Sequence, residues 1–168
     1  MWGCVGEVFS SIQGEGIHLG CRQVFVRLAG CPLHCVYCDT VRFRSPVRRW
    51  CAVECRPGSR EFRRVKNPVE TSRVVEWVRE LWTSATHSVA LTGGEPLAAG
   101  EFLVELTRTL KQRGFRNYLE TSGVSSPVFE RVAEHIDFAA IDIKLPEHRA
   151  TERWKELLRQ ELRCVRLA

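Results

Sequence analysis

Apolar and polar positions along the chain follow two rhythms. Val24, Phe25 and Val26 predict a strand over Gln23 to Ala29, because β-branched and aromatic residues pack well on a pleated surface. Ser88-Val89-Ala90-Leu91 is a short apolar run ending in Gly93-Gly94, the pattern of a buried strand. Phe115 to Glu120 and Asp137 to Ile143 predict two more strands. Between these runs the spacing turns helical. Val74, Val75, Trp77, Val78, Leu81 and Trp82 predict a helix over Thr71 to Trp82. Phe102, Leu103, Leu106 and Leu110 share one face of a second helix, Glu101 to Arg113, and Gly114 stands where a C-terminal cap belongs. Ser126-Pro127 opens a third, with serine as N-cap and proline at the first helical position. A helix over Ala150 to Arg159 follows, and Cys164 to Leu167 reads as the start of another strand. Strands alternating with helices imply βα units, a parallel sheet and an α/β fold. Such arrays carry their chemistry at the carboxyl ends of the strands. The candidate motifs follow directly on predicted strands.

Residues 41 to 69 interrupt the alternation. They hold Pro46, Pro57-Gly58 and Pro68, and predict an inserted loop or hairpin within a single domain spanning 1–168. This stretch carries Arg42, Arg44, Arg48, Arg49, Arg56, Arg60, Arg63 and Arg64, much of the excess behind a net charge of +5. A nucleic-acid patch would need a groove-reading motif or stacking aromatics beside it. Neither is present, so a solvated face is the better reading and no nucleic-acid partner is expected. No apolar run approaches the ~20 residues of a membrane-spanning helix. With no basic–apolar–small pattern at the N-terminus, a cytoplasmic location is expected.

Eight cysteines are many for such a chain. Cys31, Cys35 and Cys38 stand in Gly30-Cys31-Pro32-Leu33-His34-Cys35-Val36-Tyr37-Cys38-Asp39-Thr40, the pattern C-x3-C-x2-C. That spacing is too tight for a disulfide framework and sets three thiolates on one loop. A cubane iron–sulfur cluster ordinarily takes four cysteines, so three would leave one iron open to a substrate or cofactor. Cys51 and Cys55, spaced C-x3-C in the insertion, are either half of a second metal site or two cysteines near a hairpin.

The flanks of the loop narrow the reading. Glu7-Val8-Phe9-Ser10-Ser11-Ile12-Gln13-Gly14-Glu15-Gly16 lies upstream, and Gln23-Val24-Phe25-Val26-Arg27-Leu28-Ala29-Gly30 leads into Cys31. Thr92-Gly93-Gly94-Glu95-Pro96 lies downstream. Together these residues resemble the radical S-adenosylmethionine (SAM) enzymes, and within them the 7-carboxy-7-deazaguanine synthase family. The cysteine pattern alone resembles the superfamily, and Ser-Ile-Gln-Gly-Glu-Gly carries the family-level likeness. The resemblance implies a partial, open TIM-like barrel. It implies a [4Fe-4S] cluster on Cys31, Cys35 and Cys38, with SAM chelated at the open iron and cleaved to a 5′-deoxyadenosyl radical. The implied reaction contracts the ring of 6-carboxy-5,6,7,8-tetrahydropterin to 7-carboxy-7-deazaguanine with loss of ammonia, on the way to queuosine and related deazapurines.

The resemblance also implies roles for single residues. Tyr37, Cys38 and Asp39 fall to the SAM site, Tyr37 as an aromatic set against the adenine. Gly94 and Glu95 resemble the segment that holds the SAM amino group, with Gly93-Gly94 letting a ligand approach the backbone. Ser122 and the run Asp142-Ile143-Lys144 resemble the hold on ribose and carboxylate; Asp142 and Lys144 could equally be a structural pair at a strand end. Ile12, Gln13, Gly14, Arg27, Thr92 and Glu120 carry over as substrate contacts. Arg27 offers a fork to the substrate carboxylate and Glu120 an acceptor to its ring donors. Thr40 resembles a magnesium contact, in keeping with that ion's preference for few protein oxygens and several waters; a turn residue is the plain alternative. A homodimer and a flavodoxin- or ferredoxin-type reductant are expected. Family members usually continue for another strand or two beyond the equivalent of Cys164 to Ala168, so a barrel shortened at the C-terminus is expected. Two other readings remain: an activase that installs a glycyl radical on a partner protein, and a degenerate iron–sulfur module. Gln13, Arg27 and Thr40 argue against the activase.

Overall fold

Period-two alternation in the strands becomes a sheet with two chemically different faces. A computed structural model of the chain describes residues 1–168. In chain order it forms strands β1 (Trp2–Gly3), β2 (Val5–Ile12), β3 (Arg22–Leu28), β4 (Trp50–Glu54), β5 (Phe62–Lys66) and β6 (Val69–Glu70). Then follow α1 (Thr71–Leu81), β7 (Thr86–Gly93), α2 (Glu101–Gln112), β8 (Asn117–Thr121), α3 (Ser126–Val132), β9 (Phe138–Ile141) and α4 (Trp154–Leu167). Seven strands form one sheet in the order β5-β4-β2-β3-β7-β8-β9. Neighbours from β3 to β9 run parallel. At the other end β2 pairs antiparallel with β3, and β4 antiparallel with β5. The edges β5 and β9 do not meet, so the barrel is open.

Val24, Val26 and Leu28 of β3, Val89 and Leu91 of β7 and Leu119 of β8 point outward and are fully buried. Against them lie the apolar stripes of the helices, including Trp77 and Leu81 of α1, Leu103, Leu106 and Leu110 of α2 and Phe129 of α3. Burying each such side chain contributes roughly 1.5–3 kcal/mol, which makes this dry layer the main source of stability. The register pairs Phe25 with Ala90, Ala90 with Tyr118 and Tyr118 with Phe138. These face the inner, concave side with Gln23, Arg27, Thr92 and Glu120.

Glycines allow two close approaches. A Cβ on Gly3 would run into the Phe102 ring, so β1 can lie on α2 only with glycine there. Gly114, at φ 83°, turns the chain out of α2 one residue past the Arg113 cap.

Two expectations are corrected. Cys164 to Leu167 is not a strand but the last turn of α4, which begins at Trp154 and not at Ala150. Leu157, Glu161 and Cys164 are its buried residues, a four- and three-residue spacing that continues through the supposed strand. The N-cap of α3 is Ser125, one residue earlier than expected, with Pro127 second in the helix. The Ser126 N–H is satisfied instead by the Gln160 side chain of α4, at 3.0 Å.

Candidate functional site

The cysteine loop is strapped down on both sides. Gly30 takes φ 101° at the end of β3, a conformation open to glycine, and turns the chain into the loop. On one side the Gly30 and Cys31 amides donate to the Phe43 and Arg44 carbonyls, and the Arg44 guanidinium donates to the Cys35 carbonyl. On the other the His34 and Val36 amides donate to the Ala150 and His148 carbonyls, at 2.8 and 3.1 Å. Leu33 packs with Ala150 and Leu157 beneath Cys31 and Cys35.

All eight cysteines are free thiols. Cys31, Cys35 and Cys38 line one cleft of about 680 Å³ beside the carboxyl ends of the parallel strands. Burial pushes the Cys31 thiol up; the Leu33 backbone hydrogen bond pulls it down, and the charges of Glu95, Cys35 and Cys38 add to the rise. Thiolates that repel one another in a shared cleft are what a cationic iron group relieves, so this donor set fits a cluster. No three His, Cys, Asp or Glu side chains converge closely enough to cage a single metal ion.

One wall of the cleft is a polar chain. The Lys144 ammonium donates to the Asp142 carboxylate and to the Tyr37 hydroxyl at 2.7 Å, and lies 5.0 Å from the Tyr37 ring centroid. Burial alone would lower the lysine pKa, but these two partners lift it above its ordinary value. His148, absent from the sequence expectations, lies edge-on to Tyr37, and its Nδ1 accepts from the Leu145 N–H at 3.2 Å. Glu161 of α4 accepts from the Lys144 N–H at 3.0 Å and fixes the strand end from below. It was illegible because a lone glutamate on a helix ordinarily marks a solvated face.

A second wall centres on Glu95, buried and saturated with donors. Its carboxylate accepts from the Leu97 N–H, the Thr121 hydroxyl, and the Ser122 N–H and hydroxyl, at 2.5–2.9 Å. It therefore ties the end of β7 to the end of β8. Gly94 lines the cleft, and both Gly93 and Gly94 are packed so closely by neighbouring backbone that a side chain would not fit. A Cβ on Gly93 would stand 2.5 Å from Leu28 backbone atoms, and one on Gly94 would meet the Gly30 carbonyl oxygen. The strand ends can then lock, with the Gly94 N–H donating to the Leu28 carbonyl and the Glu95 N–H to that of Gly30.

Thr40, Thr92, Asp39, Glu120 and Ser122 also line the cleft. The Thr40 hydroxyl donates to the Gly93 carbonyl at 3.4 Å and lies 3.8 Å from the Cys38 sulfur. Gln13 lies behind the lining and donates to Glu120 at 2.6 Å. Arg27 also lies outside the lining, on the inner face beside Thr92 in register. Its Nε is 3.8 Å from Glu7, is buried and makes no hydrogen bond, and its guanidinium sits 5.5 Å over Phe9. Gly14 and Ile143 are outside the lining too. Ile12 borders a separate shallow depression with Arg22, His87 and Arg116. Cys51 and Cys55 part company: Cys51 is fully buried, its thiol pushed up to about 12 by burial and then by Glu7, while Cys55 is exposed.

Comparison with known proteins adds a second line of argument. Residues 25–166 match the model of the radical SAM superfamily. A 7-carboxy-7-deazaguanine synthase of Thermococcus kodakarensis is 40% identical over 97% of this chain and 67% of its own length. One of Geobacter sulfurreducens is 42% identical over 83% of this chain and 56% of its own length. The chain thus spans between about half and two thirds of these relatives. The crystal structure of QueE from Escherichia coli shares the fold, with a TM-score of 0.63 over 95% of this chain and 68% of that one, at 22% identity.

Proposed function

The chain belongs to the radical SAM superfamily and within it to the 7-carboxy-7-deazaguanine synthase family, and from that premise we propose that its cleft converts 6-carboxy-5,6,7,8-tetrahydropterin to 7-carboxy-7-deazaguanine with loss of ammonia. The observation that carries this reading is the meeting of three free cysteines with the strand-end side chains in one cleft. The family implies a [4Fe-4S] cluster and SAM, which when bound supply the hydrogen-abstracting radical.

The chain's own residues hold and orient. Cys31, Cys35 and Cys38 would hold the cluster. Tyr37, steadied by Lys144 and His148, gives the adenine an aromatic surface. Lys144 and Asp142 present a charge pair to the ribose and methionine end, with Asp39, Ile143 and Ser122 beside them. Gly94 and Glu95 mark the amino-group end. Because four protein donors already occupy the Glu95 carboxylate, its first effect is to fix the strand ends that form the pocket.

On the substrate side Glu120 accepts from the N–H groups of the pterin, with Thr92 lining the same cleft and Gln13 bonded to Glu120 from behind, while Ile12 and Gly14 lie outside the lining. Arg27, on the inner face beside Thr92, would offer its guanidinium to the carboxylate. Thr40 offers a hydroxyl to magnesium, which would complete its shell with substrate oxygens and water. A flavodoxin- or ferredoxin-type reductant, a homodimer and a cytoplasmic location complete the proposal. No helix is long and apolar enough to cross a membrane.

The test is anaerobic reconstitution with iron and sulfide, then incubation with SAM, dithionite, magnesium and the carboxytetrahydropterin. Formation of 7-carboxy-7-deazaguanine is the expected result. SAM cleavage that ignores the pterin would favour an activase, and absence of any SAM cleavage would favour an iron–sulfur module.

A further inference from the structure

Behind the cleft a line of polar side chains crosses the barrel interior. The Gln13 Nε2 donates both its protons, one to Glu120 at 2.6 Å and one to the Gln23 Oε1 at 2.9 Å. The Gln23 Nε2 donates to the Ser88 hydroxyl at 2.9 Å, which lies 3.0 Å from the His87 Nδ1. Gln13, Gln23 and Ser88 are almost wholly buried, at 3%, 0% and 0% exposure. A buried glutamine costs stability unless each end finds a partner.

The donors and acceptors fix the direction of both glutamine amides. The Gln13 Oε1 accepts from the Glu15 N–H, so its other end must be the NH2 group. That NH2 group needs an oxygen from Gln23, which turns the Gln23 NH2 group toward Ser88. Ser88 accepts from Gln23 and shares a further hydrogen bond with His87 Nδ1, its direction set by the imidazole tautomer. Burial, with Arg116 and His18, holds the His87 pKa down and so favours the neutral ring.

We infer that Gln23 is a positioning residue for substrate recognition: together with the Glu15 N–H it holds the Gln13 amide in place, and the Gln13 NH2 group in turn aims Glu120 at the cleft as an acceptor for N–H donors. The inference rests on the reading above that Glu120 meets the substrate. A reversed Gln13 amide would set oxygen against the Glu120 carboxylate and turn that side chain away. Gln23 touches none of the residues assigned to SAM, so its effect falls on the pterin alone.

The experiment measures binding of the carboxytetrahydropterin and of SAM, separately, to reconstituted holoprotein. Gln23→Leu keeps the volume and removes both hydrogen bonds; the expected result is a pterin Kd raised roughly tenfold with the SAM Kd unchanged. Gln23→Glu is the rescue. Buried there, a glutamate takes up a proton and offers the same acceptor to Gln13 and a donor to Ser88, so its pterin Kd should return to within about threefold of wild type. Unchanged pterin binding in Gln23→Leu, equal loss of SAM binding, or no rescue would overturn the inference. Proton exchange of the wild-type side-chain amides decides it independently. Slow exchange at Gln13 and Gln23 supports the relay, and exchange at the rate of free glutamine overturns it. A wild type that binds no pterin would sink the proposed substrate, and the exchange rates would still decide the relay.

Discussion

Leu119 and Glu120 are adjacent in β8, and they look into different media. Leu119 points outward into the layer shared with the helices and is fully buried. Glu120 points inward to the cleft and to Gln13. The same division runs along β3, where Val24, Val26 and Leu28 face the helices and Gln23, Phe25 and Arg27 face the concave side. The outer face needs volume and dryness, which many apolar side chains supply. The inner face needs particular donors and acceptors in particular directions. Substitutions on the two faces should therefore fail differently, one in stability and the other in recognition.

The largest expected effect is on the outer face. Leu119→Ala should lower unfolding free energy by ~2–5 kcal/mol, because it leaves a cavity that the rigid layer cannot close. Denaturant melts of the apo chain would show it. A loss below about 1 kcal/mol would mean the outer layer is less tightly packed than its burial indicates.

Glu95 tests whether the seam between the faces is structural. Gln in its place turns an NH2 group toward donors and should cost ~2–3 kcal/mol, from charge-assisted bonds lost at a buried site. If Glu95→Gln melts like wild type and only SAM binding suffers, the tie between β7 and β8 is weaker than described.

The smallest effect is a slope. Burial, reinforced by Asp142, raises the Glu161 pKa above its usual 4.5, although the Lys144 N–H pulls the other way. The folded state therefore binds this proton more tightly than the unfolded chain does. That contribution is full below pH 4.5 and is lost as pH rises through the folded-state value. Glu161→Gln should remove this part of the decline, so its stability relative to wild type should rise across that window. Parallel stability curves for the two proteins would contradict the assignment.

Sequence reading reached what was local or periodic. The C-x3-C-x2-C loop was legible because three ligands on one turn need no knowledge of the fold, and the helices α1 and α2 because their stripes are uninterrupted. The last turn of α4 was misread because Glu161 breaks its stripe: without it Cys164 to Leu167 looks like a strand. β2 was not predicted as a strand, since Gly6, Glu7, Ser10 and Ser11 hide Val5 and Val8 among residues that favour turns. The packing of Gly93 against the β3 backbone, and of Gly94 against the backbone of Gly30 and Phe43, was not legible, because those neighbours meet the glycines only in the folded sheet. The relay from Gln13 to His87 was invisible because its members are brought together only by strand pairing.

The central claim is that Cys31, Cys35 and Cys38 together make this cleft a radical SAM site. Iron and sulfide analysis of reconstituted wild type and Cys35→Ala, with the electron paramagnetic resonance signal read before and after SAM, tests it most directly. The account predicts about four irons per chain and a SAM-dependent change of signal in wild type, and neither in the variant. A full, SAM-responsive cluster in Cys35→Ala would contradict it.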